Sequence, residues 1–134
     1  MVYALRNTAE SAAKRGDLTL RLDIPEDVAH LPAYVEQALY RIGQEALENV
    51  VRHARARNVW LRIQHSVQHI ELHIQDDGIG FEPDTLLNEE HQLGIQGMQE
   101  RAAMLDGTLT IESQPEQGAI VRLEVALNSV SSKQ

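Results

Sequence analysis

The chain of 134 residues contains no cysteine. That excludes disulfides, thiolate zinc sites and cysteine nucleophiles, and it fits a cytoplasmic setting. Lysine is nearly absent as well. Lys14 and Lys133 are the only two, and neither follows a glycine-rich loop, so a Walker-type phosphate loop is missing. No apolar run approaches the length of a membrane span. The opening "MVYALRNTAESAAKRG" lacks the long apolar segment behind a basic head that marks a signal peptide. Positive charge is short overall. A formal net charge of −8 argues against nucleic acid or an anionic membrane as the main partner. The cations that exist are gathered: Arg41, Arg52, Arg55, Arg57 and Arg62 crowd the middle of the chain. Such a patch suits a small polyanion, or is simply a solvated helix face.

What is present is an ordinary globular core, with 43% apolar residues in a length that fits one domain. "VYALRNTAESAAKRG" reads as a helix stopped at Gly16. "DLTLRLDI" alternates Leu18, Leu20, Leu22 and Ile24 against polar residues, as a half-buried strand does. Pro32 suits the first turn of a helix reaching about Ala56, with Val35, Ala38, Leu39, Ile42, Ala46 and Val50 on its apolar face. "NVWLRIQ" and "HIELHIQ" predict two strands about a turn. Residues 76–93 show no period and read as a long loop. A helix is expected from Gly94 to Asp106, closed by Gly107, and then a hairpin of "TLTIES" and "AIVRLEVAL". The last residues, 128–134, read as a frayed tail. Strands with one polar face and helices over the other imply an α+β two-layer sandwich.

Three stretches could carry chemistry. The first is "IQDDGIGFEP", which ends a strand with two acids and two glycines. It is not a calcium loop, because His73 and Gln75 stand where oxygen ligands would be needed. Nor is it a dinucleotide fingerprint, since "GIGFEP" lacks the third glycine and Pro83 opens no helix. A hairpin turn remains open for a DG dipeptide alone. The second is "QEALENVVRHA", where Glu45, Asn49 and Arg52 follow at four and three residues on one flank of a helix. A carboxylate, an amide oxygen and a guanidinium can take a proton, ligate Mg²⁺ and meet a phosphate; equally, each can be a surface residue. The third is "LGIQGMQER", where two glycines at an expected helix start leave N–H groups open to an anion.

In this order, "QEALENVVRHA", "DDGIGF", "LGIQGMQERAAMLDG" and "EQGAIVRLEVAL" resemble the ATP-binding domain of sensor histidine kinases, over about residues 17–127. The likeness is greatest to the branch of nitrate and cell-envelope-stress sensors, within the superfamily that includes DNA gyrase, a mismatch-repair protein and a heat-shock chaperone. It implies the Bergerat fold, with a mixed, mostly antiparallel sheet covered on one face by about three helices. It also implies roles for particular residues. Glu45 and Asn49 stand at the catalytic helix box, with Asn49 the Mg²⁺ ligand and Arg52 and His53 near the phosphates. Asp76 corresponds to the aspartate that accepts a hydrogen bond from the adenine amino group, and Gly78 and Gly80 to the glycines beside the base. Gly94, Ile95, Gly97 and Met98 fall in the second glycine box, and Gly118 matches the glycine of a closing "GT" pair. Two positions depart: Gln92 replaces the usual first glycine of the second box, and Ala119 replaces threonine, removing a hydroxyl.

The resemblance therefore implies a cytoplasmic ATP- and Mg²⁺-binding domain, monomeric alone and separated from its dimerisation helices. It would supply a γ-phosphoryl to a histidine on that absent domain, upstream of a response regulator. An anti-sigma-factor-type serine kinase and a nucleotide-gated interaction module without transfer are the alternatives of the same fold. None of the six histidines is followed by an acidic residue, as a phospho-accepting histidine normally is.

Overall fold

The computed structural model describes residues 1–25, 31–80 and 89–127 of the chain, and within them the side chains of all but residues 90 and 91. Helix α1 (Val2–Gly16) leads to strand β1 (Thr19–Asp23), helix α2 (Ala33–Asn49) and a π-helical turn (Val50–Ala54). Strands β2 (Asn58–His65) and β3 (His69–Asp76), helix α3 (Glu89–Met104) and strands β4 (Thr108–Gln114) and β5 (Gly118–Ala126) follow. The strands make one sheet in the order β1-β2-β3-β5-β4. β1 is parallel to β2 and the other neighbours are antiparallel, so this is the expected α+β sandwich with a mixed sheet.

Period-two alternation puts Val59, Leu61 and Ile63 of β2, Ile70, Leu72 and Ile74 of β3, and Val121, Leu123 and Val125 of β5 on the helix side, all buried. The helices answer with Leu5, Ala9 and Ala12 from α1, Val35, Leu39, Ile42 and Ala46 from α2, and Met98 and Ala102 from α3. Each fully buried Leu or Ile is worth about 1.5–3 kcal/mol of transfer free energy. Leu72→Ala, at the centre of the sheet, would cost about 2–5 kcal/mol because little can collapse into the space.

Local signals set the ends of the elements. The Pro32 carbonyl accepts the N–H groups of Val35 (3.0 Å) and Glu36 (3.1 Å) at the head of α2. Helix α1 stops at Gly16, and Asp17 turns left-handed behind it. The Arg15 guanidinium grips Glu48 through Nη1 (3.2 Å) and Nη2 (2.5 Å), which pins α1 to α2.

The other face of the sheet carries polar and half-buried side chains. Arg62 Nη2 lies 3.1 Å from His73 Nδ1, and Arg122 Nε lies 3.3 Å from Glu71 Oε1. Burial first, then the charges of Arg62 and Arg122, push the His73 imidazole below its ordinary pKa. Among the described residues no helix is long and apolar enough to cross a membrane.

One boundary differs from expectation. α3 begins at Glu89, five residues before Gly94. The stretch from Glu89 to Leu93 contains no glycine or proline to delay a helix, and an acid at its head suits the positive end of the helix dipole. Of the loop expected over 76–93, residues 81–88 lie outside the described residues, as does the tail 128–134.

Candidate functional site

Helix α2 ends against the open ends of β3 and β5, and a narrow pocket lies between them. Its walls are Ala46, Val50, Ala54, Ile74 and Val121, and its polar groups come from Asn49, His53 and Asp76. Gly80 and Ala119 complete the lining. An apolar slot with a few convergent polar groups is the general form of a small-molecule site.

Asp76 is the last residue of β3 and only 4% exposed. The alternation that buries Ile70, Leu72 and Ile74 carries on to position 76, so the strand delivers a carboxylate where a fourth apolar side chain would fall. Its Oδ1 accepts the Gly78 N–H at 2.8 Å. Burial raises its pKa above the ordinary carboxylate value, against the opposing pull of the Gly78 and Ala119 backbone N–H groups. A carboxylate has about four acceptor sites, so two backbone donors leave capacity for a ligand N–H.

Asn49 is 6% exposed, and its Nδ2 is buried with no hydrogen-bond partner. A buried amide without a partner costs about 1–3 kcal/mol, so a polar ligand group belongs opposite it. The π-helical turn follows at once. Winding by i→i+5 bonds turns less per residue than an α-helix. Arg52 therefore leaves the stripe that α-helical spacing predicts for Glu45, Asn49 and Arg52, while His53 comes round to Asn49's side and lines the pocket. The Arg52 side chain is 55% exposed, with Nε 3.9 Å from Glu48 Oε2.

The glycines have different neighbours. A Cβ on Gly78 would overlap the Ala54 carbonyl oxygen, and one on Gly118, where φ is +82°, would overlap the Asp76 carbonyl oxygen. Both positions let one backbone pass close to another around the Asp76 turn. Gly80, with φ +74°, lies against the Gln114 carbonyl. Ile79 donates its N–H to Ala54 O (2.7 Å), and Ile79 O accepts the Glu116 N–H (2.6 Å). The turn after β3 is thus tied to the π-helical turn on one side and to the β4–β5 turn on the other.

The remaining predicted residues are not in the pocket. Gly94 sits in the second turn of α3, beyond the four unpaired N–H groups at the helix head. The Glu45 carboxylate rests on it, with Oε1 where a Cβ would be. Among the described residues Gly97 faces only the tip of Arg101. Ile95 is half-buried, and Met98 is fully buried in the core. Ala46, Val50, Ala54, Ile74 and Val121 are lining residues that the motifs did not single out. Their signal was the same apolar periodicity that carries Asn49 and Asp76, read one step further.

Residues 34–129 match the family of histidine kinase-, DNA gyrase B- and HSP90-like ATPases. The chain belongs to that ATPase family. Curated proteins similar to it include named histidine kinases and sensor proteins. They include sensor histidine kinase ComP of Bacillus subtilis, 32% identical over 95% of this chain and 16% of the relative. DegS of Brevibacillus brevis, a histidine-protein kinase/phosphatase, is 36% identical over 73% of this chain and 25% of its own length. The sensor protein VraS of Staphylococcus saprophyticus is 31% identical over 84% and 34%. This domain thus spans about a sixth to a third of the length of these relatives. A blue-light-activated histidine kinase domain from Erythrobacter litoralis superposes with a TM-score of 0.77 at 20% identity, over 96% of this chain and 61% of that one. The mycobacterial sensor histidine kinase MprB gives 0.69 at 18%, over 94% and 95%. Both share the fold. The chain is thus an ATP-binding domain of the kind found in sensor histidine kinases.

Proposed function

We propose that this domain holds the adenine of ATP against Asp76, directs the triphosphate along Asn49 and the π-helical turn, and supplies the γ-phosphoryl to a histidine on another domain. The observation that carries the reading is the pairing, across one pocket, of a buried Asp76 carboxylate with a buried and unpartnered Asn49 amide. Adenine presents an amino N–H₂ where guanine presents an oxygen, so a carboxylate acceptor discriminates between them. Gly80 and Ala119, with no bulky side chain, would let the flat base approach Ile74 and Val121.

Mg²⁺ fits the residues present. Mg²⁺ keeps several waters and needs only one or two protein oxygens beside phosphates, and turning the Asn49 amide over would present such an oxygen. Bound there, Mg²⁺ would neutralise charge on the phosphate oxygens. Arg52 and His53 follow Asn49 on the same turn; the guanidinium adds positive charge at that end and the imidazole lines the pocket. In the transfer, an imidazole nitrogen of the acceptor attacks the γ-phosphorus, the bond from that phosphorus to the bridging oxygen breaks, and ADP leaves. Glu45, one turn before Asn49, would take the imidazole proton. Catalysis of this kind rests on positioning and charge stabilisation. The acceptor histidine, the dimerisation domain, the response regulator downstream, the cytoplasmic setting and the monomeric state of the isolated domain belong to the same proposal.

Calorimetry with ATP, ADP and GTP, with and without Mg²⁺, tests it. ATP and ADP should bind, more tightly with Mg²⁺, and GTP should bind far more weakly. Equal affinity for ATP and GTP removes Asp76 from the base site. Incubated alone with labelled ATP, the chain should gain essentially no acid-labile phosphate; stoichiometric phosphohistidine on its own histidines overturns the assignment of the acceptor to another domain.

A further inference from the structure

Asp77, the neighbour of Asp76, looks like an ordinary exposed turn residue, yet both oxygens of its carboxylate are engaged. Oδ1 accepts the N–H groups of Arg57 (2.9 Å) and Asn58 (2.8 Å), and Oδ2 accepts Asn58 Nδ2 (2.8 Å). The Asp77 N–H returns a bond to Asn58 O at 3.3 Å. Burial would raise this carboxyl, but the bonds from Asn58 and Arg57 hold it below the ordinary carboxylate range. The clamp spans two places that matter. Arg57 and Asn58 follow the left-handed Arg55 that ends the π-helical turn, and Asn58 opens β2. Two residues beyond Asp77, Ile79 is bonded to Ala54 of that same turn. Gly78, whose N–H lies on Asp76, is held between these two ties.

We propose that Asp77 is a positioning residue for the nucleotide: by fastening the turn to Arg57 and Asn58, it keeps the Gly78 N–H on Asp76 and fixes the direction in which the Asp76 carboxylate meets the base. This rests on Asp76 being the base acceptor. The side chain itself touches no ligand, and acts through its neighbour. It also couples the base end of the pocket to the exit of the helix that carries Asn49 and His53, so both sides of the pocket share one fastening.

Two substitutions separate this role from a purely structural one. In Asp77→Asn, Oδ1 still accepts both backbone N–H groups, and the Asn58 amide can turn over to meet the new NH₂. The clamp survives while the charge is lost. In Asp77→Ala, charge and clamp both go. ATP affinity should be within about threefold of wild type in the Asn variant and about tenfold weaker in the Ala variant, as expected when anchoring hydrogen bonds are lost. The carboxyl carbon of Asp76, followed by NMR, gives a readout that needs no nucleotide. The titratable groups beside it are Asp77 itself and His53 across the pocket. Losing the Asp77 charge lowers the Asp76 pKa in both variants, so the two are compared with each other. With the Gly78 bond loosened, Asp76 should titrate higher in the Ala variant than in the Asn variant.

If wild type binds ATP but the Ala and Asn variants match in both affinity and titration, the positioning role falls and the base-site assignment stands. If wild type does not bind ATP, both fall together. Should Asp77→Ala fail to fold, Asn58→Ala removes only the Oδ2 bond and should weaken ATP about two- to threefold; unchanged affinity there also overturns the role.

Discussion

At one end of the cleft the Gly78 and Ala119 N–H groups hold Asp76, Gly118 packs against its carbonyl, and Ile79 ties the turn to the π-helical turn; at the other, Glu45 and Gly94 bring two helices together and Arg52 stands half in solvent. The end proposed for the base is built from strand ends and short turns, whose backbone groups are already aimed. The end proposed for the phosphates includes helix α3, which begins at Glu89, so that Gly94 and Gly97 are interior helix positions. A flat, uncharged base can be met by a fixed pocket. A triphosphate needs N–H groups and cations around several oxygens, and the described residues gather those less completely. The contrast predicts that substitutions at the base end act on every adenine ligand, while those at the phosphate end act only on ligands with phosphates.

The largest effect is expected from Asp76→Asn. The substitution keeps the size but can place an NH₂ against the adenine amino group, donor to donor. Binding should weaken by about 2–4 kcal/mol, equally for ATP, ADP and adenosine. A loss confined to ATP would mean that Asp76 serves the phosphates, and the comparison would collapse. Acid should imitate the mutation. The base needs the ionised carboxylate, so affinity is full above the raised pKa of Asp76 and falls as pH drops through it, about tenfold per unit below. Stability carries the opposite sign. The folded form keeps this proton to higher pH than the unfolded chain does. The contribution is therefore present below the unfolded carboxylate value and lost as pH rises through the folded one. Calorimetry and urea unfolding over one pH series check both signs.

A pair of glycine substitutions comes next in size. In Gly78→Ala the new methyl meets the Ala54 carbonyl, a backbone atom that cannot swing aside, and should cost about 1–3 kcal/mol of stability. In Gly97→Ala it meets only the movable tip of Arg101 inside a helix, and should stabilise by about 1 kcal/mol. Urea unfolding of the two proteins should thus shift in opposite directions. Equal shifts would show that the turn after β3 is not held as tightly as its contacts imply. If Gly97→Ala stabilises the free domain yet weakens Mg·ATP but not adenosine, that glycine serves the phosphates.

Much of this was legible in the sequence, and the failures have physical causes. Alternation in "NVWLRIQ" and "HIELHIQ" identified the buried faces of β2 and β3, because a sheet with one covered face leaves no freedom in which side chains point inward. Asp76 was singled out by the family resemblance, and the strand alternation that buries it was not followed to the end of β3. The π-helical turn was not legible: nothing in "VVRHA" separates i→i+5 from i→i+4 winding, so Arg52 was expected beside Asn49. Gly78 was legible as a required glycine, but not that the Ala54 carbonyl is the neighbour requiring it. The Asp77 clamp was hidden for a similar reason. Its partners lie 19 and 20 residues earlier in the chain, and local spacing carries no trace of them.

Arg52 should give the smallest effect and the finest cut. Its side chain is 55% exposed and its Nε lies 3.9 Å from Glu48, which already pairs with Arg15. Exposed charges contribute little, since water and salt screen them and a long side chain loses entropy when held. Arg52→Ala should therefore weaken ATP only about two- to fivefold at low salt. Adenosine, with no phosphate to attract the guanidinium, should bind as before. Near 0.5 M salt, where charges are screened within a few ångströms, the ATP difference should shrink toward nothing. Measuring both ligands at both salt concentrations separates the possibilities. A loss shared by adenosine would mean that Arg52 acts by shaping the π-helical turn, and would join the two ends of the cleft into one structural unit. A loss that persists in high salt would mean a direct, desolvated contact with a phosphate, placing Arg52 inside the site when nucleotide is bound.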